Sequence, residues 1–297
     1  MKTSIITFLI IALPSLVLSQ DWDSVQVKTH KINDRISMLE GRGGNIGVLS
    51  GEDGIMMIDA QYAELNAKIT NALAAISDKD IRFIVSTHWH FDHVGGNELF
   101  AKEGAVILAQ DNVRKRMSTG QFMEWIERDV APYPKAAMPI ITFQDQITFH
   151  LNDEEVYVFH SAPAHTDGDA VVWFKTSNVV HMGDIFVTYG FPFIDVSAGG
   201  MLNGMIEFQG KVLEMIDDQT KVIPGHGPVS TKSDLEKFRN QLIDIRSKIM
   251  PLIKAGKTQD EVITENPIAD YDELWPNGFV KSEDFILLVY RGLKADN

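Results

Sequence analysis

The sequence predicts a mixed α/β fold in which two sheets stack as a sandwich with helices on the outer faces. Short apolar, strand-like runs are mixed with segments of helical periodicity, and no recurring strand–helix–strand period appears. After the first 19 residues no repeat, low-complexity tract or polar linker interrupts the chain, so one domain is expected over 20–297. A chain of 297 residues, 44% hydrophobic and 23% charged, is ample for one large core and ordinary for a globular protein.

The N-terminal residues read as a leader outside that fold. Lys2 gives a basic start, Ile5 to Leu13 form an apolar run, and Val17-Leu18-Ser19 sets small or apolar residues before a cut ahead of Gln20. A signal peptide over 1–19 and a periplasmic or secreted location are therefore expected. The run is short for a membrane span, polar sequence follows at once, and no Cys follows the cut, so no anchor is expected after cleavage. The chain has no cysteine, which leaves stability to the core and to bound metal, and restricts any metal site to His and carboxylate ligands. A formal net charge of −14 argues against nucleic acid or an anionic membrane as partner, and for a small-molecule substrate.

Taken in order, Ile46–Leu49 and Gly54–Asp59 read as buried strands around a Gly-Glu-Asp-Gly turn. Ala63 to Ile76 fits a helix, and Ile81–Val85 is a strand that runs straight into a His-rich loop. Further strands are expected at Ala105–Leu108, Val156–Phe159, Ala170–Phe174 and Val179–Met182, and a helix at Asn203–Ile216. From Ser233 to about Lys254, Leu235, Phe238, Leu242, Ile245 and Ile249 recur at helical spacing, with Ser233 as the expected N-cap. A helical extension over about 250–297 completes the chain, its tail read as two short helices joined by a loop containing Trp275-Pro276-Asn277-Gly278.

Four pieces carry the chemistry, each on a loop at a strand end. They are Thr87-His88-Trp89-His90-Phe91-Asp92-His93, then His165, then Asp184, then His226 in Pro224-Gly225-His226-Gly227-Pro228. His88 and His90 are two apart, which on extended backbone points both to one side and lets them share an ion. Asp92 and His93 follow where the chain turns through Gly95-Gly96, so they face elsewhere and can serve a second ion nearby. Three His and one Asp within six residues would leave several unpaired polar groups if packed without a cation. Imidazole and carboxylate without thiolate suit zinc, with iron or manganese as alternatives. Two such ions about 3.5–4 Å apart can share a water and hold it as hydroxide near neutral pH. Asp92 is the candidate catalytic residue, orienting that nucleophile and moving its proton.

The run His88-x-His90-x-Asp92-His93, followed in order by His165, Asp184 and His226, resembles the signature of the metallo-β-lactamase superfamily, over roughly Ile32 to Lys248. The resemblance implies a four-layer αββα sandwich with two mixed sheets and a two-zinc site at one edge. It implies that His88, His90 and His165 hold the first zinc, that Asp92, His93 and His226 hold the second, and that Asp184 bridges them. It also implies that Asp59 supports the metal loop from behind. His30, His150, His160 and His181 fit no ligand position and are read as structural, His181 with a supporting role near Asp184 in view.

Substrate choice rests on departures from the family pattern. Common secreted β-lactamases carry Cys where this chain has Asp184, and a Lys soon after it for the drug carboxylate; Ile185 to Gly190 contain no Lys. Asp184 resembles the bridging residue of lactonases and of glyoxalase II-type thioesterases. The expected activity is hydrolysis of a cyclic amide or ester, β-lactam or lactone in type, with a glyoxalase II-type thioesterase or an iron-dependent, persulfide dioxygenase-like oxidoreductase as alternatives. Phe186, Tyr189, Phe191, Pro192 and Phe193 are candidates for a pocket wall, and Gln121 to Ile126 for a lid.

Overall fold

The computed structural model describes residues 21–276 and 278–295, so the expected leader and Asn277 of the tail loop lie outside the described residues. Strands β1 (Lys28–Lys31), β2 (Ile36–Glu40), β3 (Ile46–Gly51) and β4 (Gly54–Ile58) form an antiparallel meander. Helix α1 (Asn66–Ala74) then crosses to β5 (Ile81–Ser86), and helices α2 (Phe91–Val94) and α3 (Asn97–Lys102) cross to β6 (Val106–Gln110), both strands joining parallel. Helix α4 (Asp111–Met117) leads to a separate hairpin of β7 (Gln121–Met123) and β8 (Arg128–Val130), after which β9 (Ile141–Phe143) completes a seven-stranded sheet.

The second sheet has six strands in chain order: β10 (Gln146–Leu151), β11 (Glu154–Phe159), β12 (Val171–Phe174), β13 (Val179–His181), β14 (Lys221–Ile223) and β15 (Ser230–Thr231). All pairs are antiparallel except β13 with β14, which are joined through helix α5 (Leu202–Met215). Helices α6 (Lys232–Lys254), α7 (Gln259–Glu265), α8 (Asp270–Leu274) and α9 (Ser282–Ala295) follow.

The period-two alternation of each strand sorts its side chains into layers. Met56 and Ile58 face Val156, Val158, Val172 and Phe174 of the other sheet, while Ile55 and Met57 between them face Leu65, Ile69, Leu73 and Phe100 of the helical layer. On the far side Phe159, Val171, Val180 and Val222 pack against Met205 and Phe208 of α5 and Leu235, Phe238 and Leu242 of α6. The result is the expected αββα sandwich. Because β4 is buried on both faces, its sequence is a continuous apolar run rather than an alternating one.

Three local expectations are corrected. The N-cap of α6 is Thr231, not Ser233: its hydroxyl accepts from the Asp234 N–H, and the Asp234 carboxylate accepts from the Thr231 N–H. The region expected to be one helix from Ala63 begins with a separate 3₁₀ turn, Ala63–Leu65. The tail holds three helices rather than two, because Asn266, in a left-handed conformation before Pro267, ends α7 and a new turn starts at Asp270. Among the described residues, no helix is long and apolar enough to cross a membrane.

Candidate metal centre

The seven side chains singled out in the sequence converge at one edge of the sandwich, and parallel pairing explains why. Adjacent strands β4 and β5 end there, with Asp59 after one and the His-rich loop after the other. In the second sheet the parallel strands β13 and β14 end on the same edge and deliver Asp184 and His226, while the loop between β11 and β12 delivers His165. Three groupings have ligand atoms within 4.8 Å of one another and can hold a metal ion: His88 with His90 and His165; His88 with His93 and Asp184; and Asp92 with His93 and His226.

Hydrogen bonds behind the imidazoles fix which nitrogen of each faces inward. Asp59, fully buried and held at a positive φ of 66°, accepts from the Thr87 N–H, the Thr87 hydroxyl and His93 Nδ1, each at 2.7 Å. With its proton given to Asp59, the Thr87 oxygen can accept from His88 Nδ1 at 3.0 Å. That leaves His88 Nε2 as an acceptor, buried and without a hydrogen-bond partner. His165 Nδ1 donates to the Phe193 carbonyl at 2.7 Å, and His90 Nε2 donates to Asp195 at 2.9 Å. Their inward nitrogens, His165 Nε2 and His90 Nδ1, then lie 2.8 Å apart. Two ring nitrogens so close in a buried site need either a proton shared between them or a metal cation held by both. The donor set therefore fits a metal ion on the evidence of its own hydrogen bonding.

Asp184 lies among the remaining imidazoles, with Oδ1 3.2 Å from His93 Nε2 and Oδ2 3.5 Å from His226 Nε2 and 3.7 Å from His165 Nε2. Asp92 Oδ2 is 3.3 Å from His226 Nε2 and 3.7 Å from His93 Nε2. Two glycines make room for this packing. A Cβ on Gly44 would stand 2.1 Å from the His93 ring, and one on Gly225 would stand 2.0 Å from Asp184 Oδ1.

Charge divides the cluster. Burial, then repulsion from His93 and His165, holds His88 well below the ordinary imidazole value; burial, then His90, holds His165 at about 4. At His226 burial acts the same way but is overcome by Asp184 and Asp92, which push it to about 9, and the same carboxylates raise His93 well above its usual value. Burial of Asp92 is likewise overcome by His93 and His226, which bring its carboxyl to about 2. Protonated imidazoles thus neutralise the carboxylates in the metal-free protein, and metal binding must displace those protons.

Two supporting carboxylates had no role in the sequence reading. Asp195 orients His90, and Asp169 accepts from the His165 and Thr166 N–H groups and the Thr166 hydroxyl. Each is buried, and the available signal was an acid set among apolar or small residues, which demands donors once buried. His181 spans two loops of the site, with Nε2 on the Asn45 carbonyl and Nδ1 accepting from the Gly183 N–H. His160 bonds the Asp169 carbonyl, and His30 pairs with Glu40 on the first hairpin.

A cavity of about 430 Å³ opens over the cluster, with His90, Asp92, Asp184 and His226 in its lining. Of the aromatic segment after Asp184, Tyr189 and Phe193 line it; Phe186 and Phe191 are core. Met123, Trp125 and Ile126 cover one side from the β7–β8 hairpin, the segment read as a lid. Burial, then Asp184 and Asp92, raises Tyr189 far above the usual phenol value, so it keeps its proton and remains a donor. Arg42, from the turn between β2 and β3, brings to the cavity a cation that the segment after Asp184 lacks.

Comparison with known proteins agrees with the geometry. The family model described as the metallo-beta-lactamase superfamily matches residues 39–246. An acyl-coenzyme A thioesterase from Bos taurus is 28% identical over 156 residues, 48% of this chain and 54% of that protein. A type 2 metallo-beta-lactamase from Elizabethkingia meningoseptica is 25% identical over 172 residues, 55% of this chain and 64% of that protein. The chain thus spans about half to two-thirds of the length of these relatives. The crystal structure of the DIM-1 metallo-beta-lactamase shares the fold, with a TM-score of 0.61 at 15% identity over 74% of this chain and 99% of that one. A family match over more than half the chain, on the sandwich that the lactamase also adopts, assigns it: the chain belongs to the metallo-beta-lactamase superfamily.

Proposed function

We propose that this chain is an exported dinuclear zinc hydrolase that opens the acyl bond of a cyclic amide or ester, β-lactam or lactone in type. The observation that carries the reading is the convergence of inward-facing ring nitrogens from His88, His90 and His165 beside a second group, Asp92, His93 and His226, with Asp184 between them. Bound zinc would supply Lewis acidity and make water a nucleophile near neutral pH. The chain's own residues would do the rest. Asp92, held ionised by its imidazole neighbours, accepts a proton from attacking water and returns it to the leaving atom. Tyr189 donates toward the oxyanion from the cavity wall, and Trp125 and Ile126 exclude bulk water from above.

A thioester substrate is the second reading, supported by the thioesterase among the relatives and by an aspartate at 184 rather than cysteine. Iron in this thiolate-free site would instead support the oxidoreductase alternative. Metal analysis of protein from its native host, with rates on a β-lactam, an acyl lactone and a thioester, tests the readings. Zinc at two equivalents with turnover of the lactone or lactam is the expected result. Iron, or a zinc-loaded protein inert to all three, would overturn it.

A further inference from the structure

Asn45, immediately before β3, joins the two sheets at the edge where the candidate metal ligands collect, and it is 1% exposed. Its Nδ2 donates to the Pro224 carbonyl at 2.9 Å and to the Gly227 carbonyl at 2.8 Å, and its backbone N–H donates to the Gly225 carbonyl at 2.7 Å. The remaining carbonyl of that loop, at His226, accepts from the Thr188 N–H at 3.1 Å. Every backbone acceptor from 224 to 227 is thus occupied, three of them by one residue that precedes a strand of the other sheet. The same residue reaches the Asp184 turn. Its carbonyl accepts from His181 Nε2 at 3.1 Å, and His181 Nδ1 accepts from the Gly183 N–H at 3.2 Å. The Gly225 N–H closes the circuit by donating to the Gly183 and Phe186 carbonyls at 2.8 and 2.9 Å.

A second buried asparagine provides the contrast. Strand β3 starts beside Asn45 and ends at Gly51, where the β3–β4 turn meets Asn152 from between β10 and β11. Asn152 Oδ1 accepts from the Asp53 N–H at 2.8 Å, its Nδ2 donates to the Gly54 carbonyl at 2.9 Å, and its N–H donates to the Asp53 carboxylate at 2.7 Å. Both residues fasten one sheet to the other, at opposite ends of the same strand. The bonds of Asn45 end on loops that carry Asp184 and His226, whereas those of Asn152 end on a turn away from the site.

Resting on the two-metal reading above, we infer that Asn45 is the positioning residue for His226 and, through His181, for Asp184, and so for the second metal position. Glycines flank His226, and Gly227 sits at a φ of 103°, so the loop has little conformational preference of its own. Where its carbonyls are held decides where the imidazole points. A short side-chain amide suits this task because one nitrogen carries two donors. An aspartate of the same shape would turn lone pairs on the Pro224 and Gly227 carbonyls instead.

The test is zinc titration of chelator-stripped protein, with hydrogen exchange of segments 183–188 and 224–227 measured relative to β4 in the stripped state. The variants are Asn45→Asp, the milder Asn45→Ser, which keeps one donor, and Asn152→Ala as control. Asn45→Asp should weaken the second equivalent of zinc about 10–100-fold, the effect of losing a supporting partner behind a ligand, and leave the first largely unchanged. Asn45→Ser should do the same to a smaller extent, and both segments should exchange faster in each Asn45 variant. Asn152→Ala should keep the wild-type ratio of the two affinities and the wild-type exchange of both segments, even where it lowers stability. Equal weakening of both equivalents by the Asn45 variants, or the same affinity ratio in all variants, would reduce Asn45 to a general fastener and overturn the inference. If wild type takes up fewer than two equivalents, the two-metal reading is in error and exchange alone decides. Faster exchange of both segments in Asn45→Asp than in Asn152→Ala then upholds the positioning of His226 and Asp184, and equal exchange overturns it.

Discussion

The two sheets contribute to the metal centre by different means. The first sheet supplies four polar side chains from one contiguous turn, His88 to His93, anchored from behind by Asp59 and Thr87. The second supplies His165, Asp184 and His226 singly, each from a different loop. A contiguous run keeps its spacing wherever the sheet lies, whereas the three single residues are brought into position only by correct stacking of the two sheets. Metal binding and sandwich packing are therefore coupled through the second sheet more than through the first.

The sharpest attempt to break this picture is to disable the first-sheet turn. His88→Ala removes the buried acceptor that has no protein partner, and Asp92→Ala removes the carboxylate facing His226. Turnover should fall by several orders of magnitude in either case, the scale expected when an activated water is lost. Near wild-type rates measured at saturating zinc would defeat the two-metal reading.

Next in size is the joint between the sheets. Asp184→Asn keeps the shape but removes the charge set among His93, His165 and His226. The second equivalent of zinc should bind more weakly than in wild type, and the first should be less affected. Calorimetric titration showing both equivalents unchanged would remove Asp184 from its expected bridging position.

The contrast between the sheets also explains what could be read from the sequence. The His-rich run was legible because its density has no cheap explanation as packing, and His165, Asp184 and His226 were legible mainly through their order after it. Asp195 and Asp169 were not, since each acts through a partner distant in the sequence or through backbone N–H groups that spacing does not reveal. Arg42 was missed for the same reason: it reaches the cavity from a hairpin turn about 140 residues before Asp184. Buried strands such as β4 were plain as apolar runs. The edge strand β10 was not, because it alternates half-buried Ile147 and Phe149 with exposed residues around them. The two sheets and their helical layers were nonetheless expected, because irregular mixing of the elements excluded a single wound sheet.

A finer test compares the carboxylates behind the two halves. Asp195→Asn should weaken metal binding about 10–100-fold by loosening His90, with little change in stability of the metal-free protein. Asp59→Ala should do both, because it leaves two donors of Thr87 and one of His93 buried without an acceptor, at about 1–3 kcal/mol each. Denaturant unfolding with chelator present distinguishes them, and equal destabilisation by the two variants would remove the distinction between the sheets.

The smallest expected effect is one of pH, and its sign differs between metal-free and metal-loaded protein. Burial opposes the charge on His226, but Asp184 and Asp92 outweigh it and hold the metal-free imidazole at about 9, above its ordinary value of 6.5. Between those values the folded chain keeps a proton that the unfolded chain has lost, so stability is fully present below pH 6.5 and declines as pH rises through about 9. His93, raised by the same carboxylates, adds to the decline. His165, held at about 4, is already unprotonated in the folded chain, so its opposing contribution is only the last of the unfolded imidazole's titration near pH 6.5 and fades within about one pH unit above it. Zinc requires these nitrogens unprotonated, so its affinity, and the stability it confers, should rise over the same interval. Urea midpoints at pH 6.5, 7.5 and 9, with chelator and with zinc, should therefore diverge as pH increases. Parallel slopes would mean that the protons on His226 and His93 are not those displaced by metal.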